Sequence, residues 1–569
     1  MLLGNRTSRK MGIHLRKQFE MIRKYLTGLL FIPFFFVLRG YGQSAGVGLS
    51  RPKLVVGIVV DQMRWDYLYR YYNRYGEGGF KRLINQGFSC ENTLINYLPS
   101  YTAVGHTCIF TGSVPSIHGI AGNDWTDQLT GKHVYCTDDS TVQTVGAPPA
   151  PDGKMSPRNL LVSTVTDELR IATNFQSRVV GVSLKDRAAI LPAGHAANAA
   201  FWLDDASGRF ITSTYYMDRL PDWAEKYNND KNISWLIADG WKTLYPVNTY
   251  TESDTDNQPY EGKLSGESAP VFPHDVKAAY AKNHGSFRST PFGNTLTLDF
   301  ARAALDGYQL GRGPATDFLT INCASTDYVG HLFGPNSIEV EDTYLRLDKD
   351  LAAFFSMLDE KVGKGQWLVF LTADHGAANA VGFMQKHREP ADFFNSKNIV
   401  DTLDKLIQQK YGIDKAIRSA ENFQIGFELK KVEEANADFS GIKALVVDFL
   451  KKQPGINYAV DIDRLQDAPI PEPIKTMIRN GYNYKRSGQV QVVFDPGWLE
   501  TYAHTGTTHG SWNPYDTHIP LLFLGWNIQP GSSNATVHMT DIAPTVAALL
   551  HIQMPNGCIG VPITDLMKK

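Results

Sequence analysis

Five short apolar runs, most of them rich in β-branched residues, each stop abruptly. Leu54–Val60 runs into Asp61, Val179–Leu184 into Lys185, Phe318–Cys323 into Ser325-Thr326-Asp327, and Trp367–Thr372 comes just before Asp374, while Ile519–Leu524 ends at Gly525. Continuous apolar runs of this length predict strands buried on both faces, as in a mainly parallel sheet covered by helices. Helix-like stretches fall between them, over Gly78–Gln86, Leu160–Thr173, Val340–Asp359 and Thr540–Leu550. Strands alternating with helices predict an α/β fold, a mainly parallel central sheet flanked by helices. Polar residues collect just past the carboxyl ends of these strands, the edge at which open α/β sheets bind ligands.

Two stretches break the alternation. Residues 190–295 are rich in Asn, Asp, Gly, Tyr and Trp and carry a hairpin-like turn at Asp204-Asp205-Ala206-Ser207-Gly208. Residues 377–500 read as strand Gln424–Leu429, helix Phe439–Lys452, strand Tyr458–Ile462 and strand Gln489–Phe494. Both are expected to be subdomains inserted on a catalytic domain of residues 44–569, able to roof the ligand edge.

The first 43 residues follow a different logic. Arg16, Lys17, Arg23 and Lys24 precede an apolar run from Leu26 to Leu38 and then Gly40-Tyr41-Gly42. That is the basic, apolar, small-residue order of a secretory signal peptide, with cleavage expected after Gly42. The run is shorter than the roughly 20 residues of a spanning helix, and Pro33 interrupts it. An uncleaved anchor is the alternative, and Met11 and Met21 are alternative starts. Residues 1–43 are therefore set apart as a signal peptide, and the mature chain is expected to be periplasmic or secreted, meeting a membrane only during export.

Composition changes this picture little. With 43% apolar and 20% charged residues the chain is globular, and its net charge of −2 leaves no basic excess for a nucleic-acid-binding surface. Any phosphate recognition must come from a local site. A monomer is the default expectation. Five cysteines, Cys90, Cys108, Cys136, Cys323 and Cys558, allow at most two disulfides and show no C-x-x-C zinc pattern. Their pairing is not readable.

The candidate chemistry lies at the strand ends. Asp61 follows the first run, Asp374-His375 the fourth, and Asp327 and His331 are spaced for one face of a helical turn. His509 sits in Gly506-Thr507-Thr508-His509-Gly510-Ser511, and Thr102 in Pro99-Ser100-Tyr101-Thr102-Ala103-Val104-Gly105-His106. Imidazole and carboxylate together suit zinc, and two metals about 4 Å apart can clamp an in-line displacement at phosphorus. Each element also has a plainer reading: Asp61 as a helix cap, Thr102 as an N-cap, Asp374-His375 as a turn. Only their joint placement and order speak for a site.

That order resembles the nucleotide pyrophosphatase and phosphodiesterase branch of the alkaline phosphatase superfamily. The matching segments are Val59-Val60-Asp61-Gln62-Met63-Arg64, Thr102-Ala103-Val104-Gly105-His106-Thr107, His118-Gly119-Ile120, Asn123-Asp124-Trp125, Thr326-Asp327-Tyr328-Val329-Gly330-His331, Ala373-Asp374-His375-Gly376 and Thr508-His509-Gly510-Ser511. The resemblance implies two zinc ions, one held by Asp327, His331 and His509. The other would be held by Asp61, Asp374 and His375 and carry Thr102 as nucleophile. Within the branch, Lys185-Asp186-Arg187 and Asn123 are similar to the phosphate-binding residues of exported bacterial phosphate-irrepressible alkaline phosphatases. The implied activity is phosphomonoester hydrolysis of broad specificity through a phosphothreonine intermediate.

The residue types suit that chemistry. A threonine hydroxyl is a poor nucleophile until its pKa is lowered by a metal, and the helix predicted over Ala103–Phe110 adds a positive end. Lys185 and Arg187, as i and i+2 of an extended segment, would share a face. Arg grips phosphate oxygens bidentately while Lys adds a point charge, which favours the more highly charged monoester over a diester. The plainer alternative is a solvated strand end with Asp186 neutralising its neighbours. His106, His118, His504 and His518 match no ligand position. Asp516 could orient a histidine ligand or simply make a turn, and Trp202, Tyr215 and Tyr216 are expected to pack. A phosphodiesterase of the same fold is the principal rival, and a non-catalytic metal- or phosphate-binding protein the remote one.

Overall fold

A computed structural model describes residues 50–231, 233–500 and 503–567; the expected signal peptide lies outside the described residues. Its largest sheet has eleven strands, numbered here in chain order. They are β1 (Leu54–Val60), β2 (Phe88–Leu94), β3 (Thr144–Val145), β4 (Val179–Val182), β5 (Ala199–Asp204), β6 (Arg209–Ser213), β7 (Asp317–Cys323), β8 (Trp367–Thr372), β9 (His518–Ile519), β10 (Leu521–Gly525) and β11 (Gly531–His538). Across the sheet the order is β9-β2-β10-β8-β1-β7-β4-β5-β6-β3, with β11 beside β2.

The centre, β8-β1-β7-β4-β5, is parallel, and its strands β1, β7 and β8 are buried along their whole length, as continuous apolar runs require. The flanks are largely antiparallel: β10 runs against β8 and β2, and β6 against β5. The run Ile519–Leu524 is split into β9 and β10 by Pro520, which has no N–H to give a ladder.

Helices cover the parallel centre. Those used below are α1 (Thr102–Thr111), α2 (Val165–Ala172), α3 (Asp186–Ala193), α4 (Phe292–Gly307), α5 (Ser325–Phe333), α6 (Ile338–Leu358) and α7 (Ile542–Leu550). Helices α2 and α7 lie within the expected stretches, and α6 begins two residues ahead of its own. Among the described residues no helix is long and apolar enough to cross a membrane.

Register places the site. Val60 of β1 pairs with Cys323 of β7, and Val59 with Thr372 of β8, so Asp61, Asp327 and Asp374 emerge along one edge. Helix α1, all ten residues buried, lies against that edge. A Cβ on Gly105 would stand 2.3 Å from the Asp374 carbonyl oxygen, so only glycine lets α1 come this close.

Part of the stretch expected to form the first insertion lies in the main sheet. Its Asp204–Gly208 turn does join a hairpin, but β5 and β6 belong to the main sheet, because Ala199–Asp204 is buried throughout. Residues 377–500 contain a separate four-stranded antiparallel sheet, in the order Ile417–Glu421, Gln424–Phe427, Val490–Phe494, Ile456–Asp461. Helices Ser396–Tyr411 and Phe439–Leu450 pack on it around Leu403, Ile407, Phe427, Ile442 and Val490.

Candidate metal and phosphate site

Six of the seven expected ligands gather into two triads. Asp61, Asp374 and His375 form one, and Asp327, His331 and His509 the other, with the ligand atoms of each triad within 4.8 Å of one another. In the first, His375 Nε2 lies 3.3 Å from Asp374 Oδ2 and 3.7 Å from Asp61 Oδ1. In the second, His331 Nε2 lies 3.1 Å and His509 Nε2 3.8 Å from Asp327 Oδ1. The seventh, Thr102, is the first residue of α1, and its Oγ1 is 3.4 Å from His375 Nε2. Thr102 is not a helix cap: Tyr101 holds that position, and the Thr102 hydroxyl faces the triad instead.

The hydrogen bonds around the triads leave atoms suited to a cation. Each histidine places Nδ1 on a backbone carbonyl: His375 on Gly376, His331 on Thr507 and His509 on Ser100, at 3.0, 2.8 and 2.7 Å. A carbonyl oxygen can only accept, so the ring nitrogen facing it donates: the proton sits on Nδ1 and the Nε2 lone pair points inward. Asp61 Oδ1 and Asp374 Oδ2 are buried without a hydrogen-bond partner. Unpaired buried carboxylate oxygens are costly, and two of them facing an imidazole lone pair are what a divalent cation satisfies. The donor set, two carboxylates with one imidazole and one carboxylate with two, matches zinc.

Electrostatics point the same way. Burial, then the Asp374 carboxylate, pushes the Asp61 carboxyl up to about 8. Burial also opposes ionisation of Asp374, but His375 and then His106 outweigh it and hold that carboxyl below its usual range. Burial is likewise outweighed at Asp327, whose pKa is driven well down by His331 and Lys185. A cluster of buried carboxylates with one of them forced towards neutrality is short of positive charge.

Lys185 bridges the triads. Its Nζ donates to Asp61 Oδ2 at 2.9 Å and Asp327 Oδ2 at 2.7 Å, lies 3.4 Å from Thr102 Oγ1, and sits 4.9 Å above the Tyr328 ring. The segment is not the extended strand end expected: β4 stops at Val182, and Asp186 opens α3, so Arg187 stands in its first turn. Lys185 and Arg187 therefore do not share a strand face, and Arg187 Nη1 donates to the Tyr135 hydroxyl at 3.0 Å. Asp186 makes no direct ion pair with Lys185 or Arg187, although its charge favours the Arg187 guanidinium; its oxygens accept from Tyr135 and Thr137. Asn123 Oδ1 accepts from Ala103 N at 2.9 Å, which turns its amide donor away from α1's backbone.

Several supporting residues were not singled out from sequence. Gln62 donates from Nε2 to Asp327 Oδ1 at 2.7 Å and from its backbone to Asp374 Oδ1 at 3.1 Å, tying the triads together. Asn322 donates to Asp61 Oδ2 at 3.2 Å. Adjacency to Asp61 was the only signal for Gln62, and nothing local marked Asn322. Of the unassigned histidines, His106 Nδ1 lies 2.9 Å from the Thr102 carbonyl and 3.4 Å from Asp374 Oδ2. His118 is buried against Cys108, His504 rests on Phe393 and His518 on Trp65. Asp516 accepts from the Ser511 backbone and hydroxyl, a turn role. Trp202 is buried, as expected of a packing residue. None of the five cysteines is bridged.

Comparison with known proteins agrees with this geometry. The family model described as type I phosphodiesterase / nucleotide pyrophosphatase matches residues 55–516. The chain is 55% identical over 547 residues to alkaline phosphatase PafA of Elizabethkingia meningoseptica, covering 96% of this chain and 99% of that one. It is 53% identical over 520 residues to alkaline phosphatase PhoV of Synechococcus elongatus, covering 91% and 94%. The crystal structure of wild-type PafA superposes with a TM-score of 0.90 at 57% identity, over 92% of this chain and all of that one. A PafA variant with one threonine, one asparagine, one lysine and one arginine replaced gives 0.89 at 56% identity, over the same shares.

Proposed function

Because the chain belongs to the type I phosphodiesterase / nucleotide pyrophosphatase family, within the alkaline phosphatase superfamily, we propose that it hydrolyses phosphate monoesters as an alkaline phosphatase. The observation that carries this reading is the pair of acid–imidazole triads bridged by Lys185, with the buried Thr102 hydroxyl 3.4 Å from both His375 Nε2 and the Lys185 ammonium. Zinc held by Asp61, Asp374 and His375, and by Asp327, His331 and His509, would supply Lewis acidity at the attacking and leaving oxygens.

The chain's own groups do the rest. Thr102 Oγ1, at the positive end of the ten-residue α1, gives up its proton and attacks phosphorus as the P–O bond to the alcohol breaks; the alcohol leaves protonated, and water then hydrolyses phospho-Thr102 to free threonine and inorganic phosphate. Lys185, buried beside that hydroxyl, neutralises the developing phosphoryl charge. Asn123 contributes an amide N–H and Arg187 a guanidinium to the unesterified oxygens. A diester has fewer of these, so the three residues favour monoesters. The four residues replaced in the PafA variant are spaced along that chain as Thr102, Asn123, Lys185 and Arg187 are here, which supports assigning them as a unit. Broad specificity follows from the lack of a second recognition motif, and export to the periplasm or beyond from residues 1–43, a reading that cell fractionation checks.

Two assays test the proposal. Chelation followed by zinc add-back should abolish and restore phosphatase activity. Lys185→Ala with Arg187→Ala should cut hydrolysis of a phenyl phosphate far more than that of the methyl diester of the same phenol, by at least about 100-fold in selectivity. Equal losses on both substrates would leave a phosphodiesterase as the better reading.

A further inference from the structure

Arg187 is held from outside the metal centre. Its Nη1 donates to the Tyr135 hydroxyl at 3.0 Å, and that hydroxyl donates to Asp186 Oδ1 at 2.9 Å. Thr137 donates its hydroxyl to the other oxygen, Asp186 Oδ2. A phenol has one proton to give, so donating it to Asp186 turns its lone pairs to the guanidinium. Burial pushes the Tyr135 phenol well above its usual range despite the opposing Arg187 charge, so the proton stays on the ring oxygen.

Tyr135 also connects Arg187 to Asn123. It ends the strand His133–Tyr135, which pairs with Asp124–Thr126. Asn123 immediately precedes that hairpin, and Cys136 N donates to the Asn123 carbonyl at 2.9 Å. The hairpin in turn rests on residues 377–500: Asn422 Nδ2 donates to the Asp124 carbonyl at 2.9 Å, and Thr126 N donates to Glu421. One hairpin therefore carries Asn123 directly and restrains Arg187 through a phenol.

We propose that Tyr135, oriented by Asp186, is a positioning residue for Arg187, and that it locks the guanidinium and Asn123 into one phosphate-recognition unit. The inference rests on the assignment of Arg187 to phosphate binding in the proposed function. An arginine side chain has many rotamers, and recognition of unesterified oxygens improves when its fork is already placed. This also gives the acidic residue between Lys185 and Arg187 a purpose: Asp186 aims Tyr135.

A double-mutant cycle decides it, using the full chain with kcat/KM measured on a phosphomonoester and on the methyl diester of the same phenol. Tyr135→Phe should lower the monoester value about ten-fold, the effect of one hydrogen bond to a charged group. The diester value and the bound-metal count should stay at wild-type levels. In an Arg187→Ala background Tyr135→Phe should add nothing. If Tyr135→Phe loses its metal, Asp186→Asn serves instead, removing the charged acceptor while keeping the ring, and should show the same monoester-selective loss. Equal loss on both substrates, or a full additional loss in the Arg187→Ala background, would overturn the positioning role while leaving Arg187's own role standing. An Arg187→Ala variant with no monoester-selective loss would instead overturn the phosphate-binding assignment, and the positioning role with it.

Discussion

The two triads use the same residue types in inverse proportion, and they differ in access. Asp61, Asp374 and His375 have side chains with no exposure at all, whereas the His331 side chain of the other triad is 35% exposed. The closed triad touches Thr102 and leaves two carboxylate oxygens unpaired. In the open triad, Asp327 Oδ1 accepts from Gln62 and Oδ2 from Lys185. The closed triad thus has the greater unmet demand for positive charge and adjoins the proposed nucleophile. The open one is better satisfied by the protein itself and has the more exposed histidine, on the side proposed for the leaving group.

The contrast can be broken most severely at the closed triad. His375→Ala should remove one metal per chain and lower monoester turnover by about 10⁴-fold or more, because nucleophile and ligand act as a unit. Added zinc should not restore it. His331→Ala, at the open triad, should cost about 100-fold and recover partly in excess zinc, since solvent can replace an exposed ligand. Inductively coupled plasma analysis beside the rate assay checks both, and equal, unrecoverable losses would erase the distinction. Timed chelation should sharpen it: metal should leave in two phases, the faster from the open triad, and His331→Ala should remove the fast phase only. The smallest effect is expected from Gln62→Ala, about ten-fold in zinc affinity at the open triad alone, read by competition with a chromogenic chelator.

Most of this arrangement was legible as sequence because its candidate ligands sit where strand patterns end. Asp61 and Asp374 are placed by the register of β1 and β8, and a buried apolar run marks its own terminus. Asp327 and His331 fall on one turn of α5, again a local spacing. What local pattern could not show was the backbone after β4. Val179–Leu184 reads as one run, yet the chain leaves the sheet at Val182 and turns into α3, which puts Lys185 at the triads and Arg187 on Tyr135. Likewise Ala199–Asp204 looks like part of an insertion until its pairing with β4 is seen. Helix α4 was missed because Gly293, Asn294 and Thr297 interrupt its buried face, while tertiary burial of Leu296, Leu298 and Phe300 overrides that weak local preference. Asn322 and Tyr135 act across the fold, at separations no motif spans.

The central claim is that Thr102, beside the closed triad, takes the phosphoryl group. Acid quenching during turnover of a labelled phosphomonoester, followed by peptide mass spectrometry, tests it directly. Phosphate on the peptide at Thr102, absent from Thr102→Ala together with turnover, is the predicted result. Full turnover by Thr102→Ala, or phosphate trapped on a different residue, would contradict the account.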